Sequence, residues 1–104
     1  MNVVSQLSNH KSLLTQALML TPAQLRAARA LVSWSRDTLG EKSGTSPETV
    51  TGFETRGSDP KRSTMLKWRR ALEAAGVEFL DEDQTKGAGV RLRTPGDGKG
   101  RAKR

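Results

Sequence analysis

The chain contains no cysteine, and its single histidine, His10, has no acid or nucleophile nearby in sequence. The missing thiols exclude disulfides, thiolate metal sites and cysteine nucleophiles, and they agree with a reducing cytosol. Aromatic residues make up only 4% of the sequence, so a few Leu, Val, Trp and Phe side chains must form the core. No stretch approaches the roughly 18 consecutive apolar residues that a bilayer span requires. Leu13 to Leu20 is moderately apolar, but Thr15 and Gln16 interrupt it and no A-x-A-like site follows. We therefore expect neither a secretory signal nor a membrane partner. The acidic run Asp81-Glu82-Asp83 lacks EF-hand spacing and reads as a loop, so no metal site is expected. No triad, metal-ligand spacing or phosphate loop occurs either, which leaves no catalytic residue, no cofactor and no reason to expect an enzyme.

Positive charge is abundant. Eighteen Lys and Arg face eleven Asp and Glu, a formal net charge of +7, and the sequence pI is near 10.6. That balance suits a polyanion, although charge alone separates neither DNA from RNA and anionic lipid, nor binding from plain solubility. At 104 residues the chain makes one domain with a modest core, too small for a deep preformed cleft. No internal repeat is present at solenoid-like periods.

Residues 1–20 read as an N-terminal arm, either frayed or holding a short helix from Lys11 onward. Thr21 opens the first firm helix as N-cap, with Pro22 at N1 and Gln24 at N3 completing a capping box. Leu25, Ala28, Leu31 and Val32 then recur at helical spacing. Ser35 caps a second helix with Asp37 in its first turn, Leu39 in its core face and Gly44 at its end. Ser46 and Pro47 restart the chain as a third helix to about Thr55, with Val50 and Phe53 inward. Arg56-Gly57-Ser58-Asp59-Pro60 is a turn by composition. Asp59 or Ser63 is expected to cap the fourth helix, whose stripe is Met65, Trp68 or Arg69, Leu72 and Ala75, with Gly76 as stop. Val77-Glu78-Phe79 and Val90-Arg91-Leu92 alternate with period two and predict a β-hairpin over residues 77–93. Residues 94–104 have nothing to bury and read as a disordered basic tail. Its Lys99, Arg101, Lys103 and Arg104 either lie along phosphates or are simply solvated.

Two short helices joined by a glycine-containing turn, Ser35 through Val50, form a helix-turn-helix unit, whose second helix enters the DNA major groove. The third helix carries small and polar residues on its outer side, Ser46, Pro47, Glu48, Thr49, Thr51 and Gly52. Such groups suit close approach to base edges, or an ordinary solvated face.

From Leu20 to Ala75 the chain resembles the lambda-repressor-like, Xre-type helix-turn-helix domain. The residues that carry this are Gln24 to Arg29, Trp34-Ser35, Leu39, Gly44-Thr45-Ser46, Thr49-Val50, Phe53-Glu54 and Gly57. Ala71 to Phe79 and Gly89 to Arg93 are similar to a bacterial subgroup of these regulators that ends in a short hairpin. The resemblance implies a mainly α fold, a bundle of four to five short helices (21–76) with a C-terminal two-stranded β-hairpin. It implies base reading by Thr45, Ser46, Pro47, Glu48, Thr49, Thr51 and Gly52. Phosphate contacts would come from Ser35, Arg36, Arg56, Lys61 and Arg62. Arg29 and Glu54 would form a structural ion pair, unless they are two separately solvated charges. Trp34 and Trp68 read as core or interface rather than as base-stacking platforms.

The chain also departs from that pattern. Gly40 stands where Ala is usual, at a cost of about 1 kcal/mol in helix propensity. Ser43 takes a position usually apolar, Gly52 leaves a groove-facing position bare, and Pro47 offers no hydrogen bond. Base choice would then rest mainly on Glu48, Thr45, Thr49 and Thr51, with DNA shape contributing the rest. The expectation is a cytoplasmic transcriptional regulator, a repressor binding double-stranded DNA as a homodimer. Half-sites would lie on the order of 34 Å apart, with the hairpin strands, or else the N-terminal segment, as dimer surface. The alternative is a protein-interaction adaptor or antitoxin that uses the same helices.

Overall fold

The computed structural model describes residues 19–95, which form four helices and one two-stranded antiparallel sheet. The expectations for residues 1–18 and for the tail from residue 96 lie outside the described residues. No helix among the described residues is long and apolar enough to cross a membrane.

Helix α1 spans Pro22–Val32. Thr21 Oγ1 accepts from Gln24 N–H at 3.0 Å, and Gln24 Oε1 accepts from Thr21 N–H at 3.0 Å, so the capping box is complete. Ser33 ends α1 in the left-handed region, φ 60°, a conformation costing a non-glycine residue about 1–2 kcal/mol. Helix α2 (Arg36–Ser43) is capped by Ser35 and closed by left-handed Gly44. Helix α3 (Pro47–Arg56) is capped by Ser46 and closed by left-handed Gly57. These local signals act as their residue types dictate.

Helix α4 (Arg62–Ala74) differs from expectation at its start. Its N-cap is Lys61, with no side-chain hydrogen bond, rather than Asp59 or Ser63. Lys61 has only donors at its tip, so its carbonyl alone opens the helix, accepting from Thr64 and Met65 N–H. Packing sets this boundary: Met65, Trp68 and Leu72 must point inward together. Arg69, which competed with Trp68 for the stripe, lies beside it and stacks over the Phe79 ring, 5.1 Å from its centroid.

Strands β1 (Val77–Leu80) and β2 (Gly89–Leu92) pair with Val77 opposite Leu92 and Phe79 opposite Val90. The core gathers Leu25, Ala28 and Val32 from α1, Leu39 from α2, Val50 and Phe53 from α3, and Met65, Trp68 and Leu72 from α4, with Val77 and Phe79 from β1. Each fully buried Leu, Val or Phe contributes roughly 1.5–3 kcal/mol. The hairpin packs on α1 and α4, while α3 packs on α1 and α2. Val77 and Phe79, whose apolar character suggested a dimer surface, are turned into the chain's own core at 1% and 7% exposure. The opposite hairpin face presents the exposed Glu78–Arg91 ion pair, 3.0 Å.

Gln24 ties the hairpin to α1. Its Nε2 donates to the Leu80 carbonyl at 3.3 Å and to the Gly89 carbonyl at 3.1 Å. At the hairpin's other end, Arg93 Nη2 donates at 2.8 Å to the Glu73 carbonyl of α4, which also accepts from Gly76 N–H at 3.0 Å.

Candidate nucleic-acid interface

Helices α2 and α3 are held at a fixed spacing by a turn packed onto α2 itself. Thr45 N–H and Gly44 N–H both donate to the Gly40 carbonyl at 2.9 Å. A Cβ at Gly40 would lie 2.8 Å from the Thr45 carbonyl oxygen and 3.2 Å from Pro47 N. Glycine at 40 is therefore the contact surface on which the turn rests.

A chain of hydroxyls locks the same turn to the core. Trp68 Nε1–H donates to Thr45 Oγ1 at 2.9 Å, and Thr45 Oγ1 lies 2.9 Å from Ser43 Oγ. Ser43 gives its own proton to the Leu39 carbonyl at 2.6 Å. Since Ser43 has one proton, Thr45 must donate to it. The polar residue at 43 is thus fully satisfied. The hydroxyl of Thr45, expected to read bases, is engaged inward.

The first turn of α3 faces outward. Ser46 and Glu48 are exposed, Pro47, Thr49 and Thr51 half-buried. Ser46 Oγ accepts from Thr49 N–H at 3.1 Å and sits 2.9 Å from Thr49 Oγ1. Both hydroxyls therefore serve the cap, and Glu48 is the exposed carboxylate of that turn. Gly52 corrects the expectation of a bare outward position: it is buried, with the Arg56 guanidinium and Ser58 over it.

Glu54 is the anchor of α3. Its side chain is wholly buried, and Arg29 grips it with two bonds, Nε to Oε2 at 2.8 Å and Nη2 to Oε1 at 2.7 Å. Arg36 Nε adds a third at 3.0 Å, and Arg26 Nη1 donates to the Glu54 backbone carbonyl at 2.8 Å. Arg29 Nη1 also donates to the Trp34 carbonyl at 2.9 Å, which the left-handed Ser33 turn brings back toward it. Burial alone would push the Glu54 carboxyl up, but the bonds from Arg29 and Arg36 outweigh it and hold it below its ordinary value. The pair is structural, and the alternative of two solvated charges is excluded by its geometry.

Arg36 was expected only at phosphate. The structure gives it two faces, Nε on Glu54 and both Nη groups without a partner among the described residues. Ser35 Oγ, also expected at phosphate, accepts from Thr38 N–H at 3.0 Å and donates to Thr38 Oγ1. Lys61 and Arg62 are exposed at the start of α4. Sequence reasoning missed Arg26, although its place one turn before Arg29 on the same side of α1 was a usable signal.

Residues 19–95 hold 13 Lys and Arg against 10 Asp and Glu, so most of the +7 excess belongs to the segments on either side. No group of three or more metal-ligating side chains occurs among the described residues. A groove of about 490 Å³ lies between Trp34, Lys42 and the Ala71, Ala74, Ala75 edge of α4. No family model and no curated protein matches this chain.

Proposed function

We propose that this chain is a sequence-specific, double-stranded DNA-binding transcriptional regulator of the lambda-repressor-like, Xre type, a repressor acting as a homodimer. The observation that carries the reading is the outward first turn of α3, with Ser46 and Glu48 exposed on a helix whose inner face is fixed by Glu54 and Phe53. A helix so presented fits the major groove. Glu48 accepts from a cytosine amino group, and the methyls of Thr49 and Thr51 meet thymine. Ser46 and Pro47 bring the backbone close to the base edges. The first backbone N–H groups of α2, with Ser35 and the free Nη groups of Arg36, receive a phosphate, and Lys61 and Arg62 continue the track.

The test is a titration of the full chain with genomic DNA fragments at several salt concentrations, followed by footprinting. Glu48→Ala should abolish the footprint while leaving salt-sensitive, non-specific association. Lys61→Ala should weaken binding to all sequences and lower the salt slope by about one. Association that is weak, fully salt-sensitive and indifferent to Glu48→Ala would instead mark a protein-interaction adaptor or antitoxin. The groove beside Trp34 and Lys42 is the feature that favours this second reading.

A further inference from the structure

Glu48, Gly52 and Arg56 follow one another at four-residue steps and share the outer ridge of α3. Helical side chains lean toward the N-terminus and cover the preceding turn. Arg56 does so over a glycine. A Cβ placed on Gly52 would lie 2.7 Å from Arg56 Nη2 and 3.5 Å from its Cζ. The guanidinium therefore occupies the space that a side chain at position 52 would fill. Ser58 Oγ backs the same point at 3.2 Å. The turn around left-handed Gly57 fixes Ser58 there, through Ser58 N–H donating to the Gly52 carbonyl at 3.3 Å. Arg56 is exposed, and no carboxylate or carbonyl among the described residues holds it.

Resting on the DNA reading above, we propose that Arg56 is the second-turn base reader of α3, its guanidinium laid over Gly52 to present a fork to a guanine edge. This replaces a simple phosphate clamp. The planar fork matches O6 and N7 of guanine with two bonds, a geometry that a lysine point charge does not reproduce. Glycine at 52 is what allows the fork to lie flat on the helix. Along the axis, the covered position stands on the order of 6 Å from Glu48, between one and two base-pair steps of about 3.4 Å. The recognised guanine lies within two base pairs of the cytosine bound by Glu48.

The experiment is selection of the full chain against a pool of duplexes with a randomised centre, repeated with Arg56→Lys and Gly52→Ala. Wild type should enrich a guanine near the Glu48 cytosine. Arg56→Lys, with its charge kept, should lose preference at that one position by about tenfold while the salt slope stays unchanged. Gly52→Ala should disturb the same position, because the new methyl displaces the fork, with helical content retained by circular dichroism. An enriched motif that Arg56→Lys leaves intact at every position overturns this assignment alone. A pool from which wild type enriches no motif overturns the DNA reading and this assignment together.

Discussion

Glu54 shows how one residue orders three helices. Its buried carboxylate meets Arg29 and Arg36, and its backbone carbonyl meets Arg26. Removing the acid leaves the largely buried Arg29 beside Arg36 with no counter-charge, a situation that costs about 3–5 kcal/mol when the pair is buried. Arg36 is more exposed and adds less. Glu54→Ala should therefore lower stability by about 3 kcal/mol in urea unfolding, and a loss near zero would refute the anchor. The pH dependence has a definite sign. A carboxyl whose folded value is depressed contributes stability that is complete above its unfolded value and fades as pH falls through the folded one. The wild-type acid limb should hence contain a Glu54 share below the ordinary glutamate range, and Glu54→Gln should flatten that share while lowering stability at neutral pH. Arg29 with Glu54 was legible only through family resemblance, because nothing local links residues 25 positions apart. The third partner, Arg36, was assigned wholly to phosphate because its proximity to Glu54 depends on how α2 crosses α3.

At the scale of elements, caps were the most legible feature. Thr21, Ser35 and Ser46 each satisfy an N–H within three residues, so neighbouring sequence decides the outcome. The start of α4 was misjudged because no such local bond exists there and core packing chose Lys61. Gln24 was read correctly as a capping-box member, yet its bonds to Leu80 and Gly89 cross 56 and 65 positions and left no local trace. Gly40 inverts its sequence reading. Alanine there would gain about 1 kcal/mol in propensity, but its methyl would press on the Thr45 carbonyl, and such overpacking costs about 1–3 kcal/mol. Gly40→Ala should thus be neutral to destabilising by about 2 kcal/mol, and under the proposed function it should also weaken specific DNA binding by displacing α3. A variant more stable than wild type by chemical unfolding would show that the turn does not rest on Gly40.

For the whole molecule, the mainly helical bundle with a terminal hairpin followed from periodicity and breakers, since both patterns are local. The assembly is not legible in the same way: Val77 and Phe79 of the hairpin are spent on the chain's own core, while Leu80, Val90 and Leu92 are half-buried. The proposed homodimer should appear in size-exclusion light scattering as twice the 11.3 kDa chain mass. A monomer at high protein concentration would overturn the proposed homodimer. The hydroxyl chain from Trp68 through Thr45 and Ser43 to Leu39 runs in one direction, with every proton assigned. Its indole proton is consequently a spectroscopic gauge: its exchange with solvent deuterium times each opening of the turn between α2 and α3.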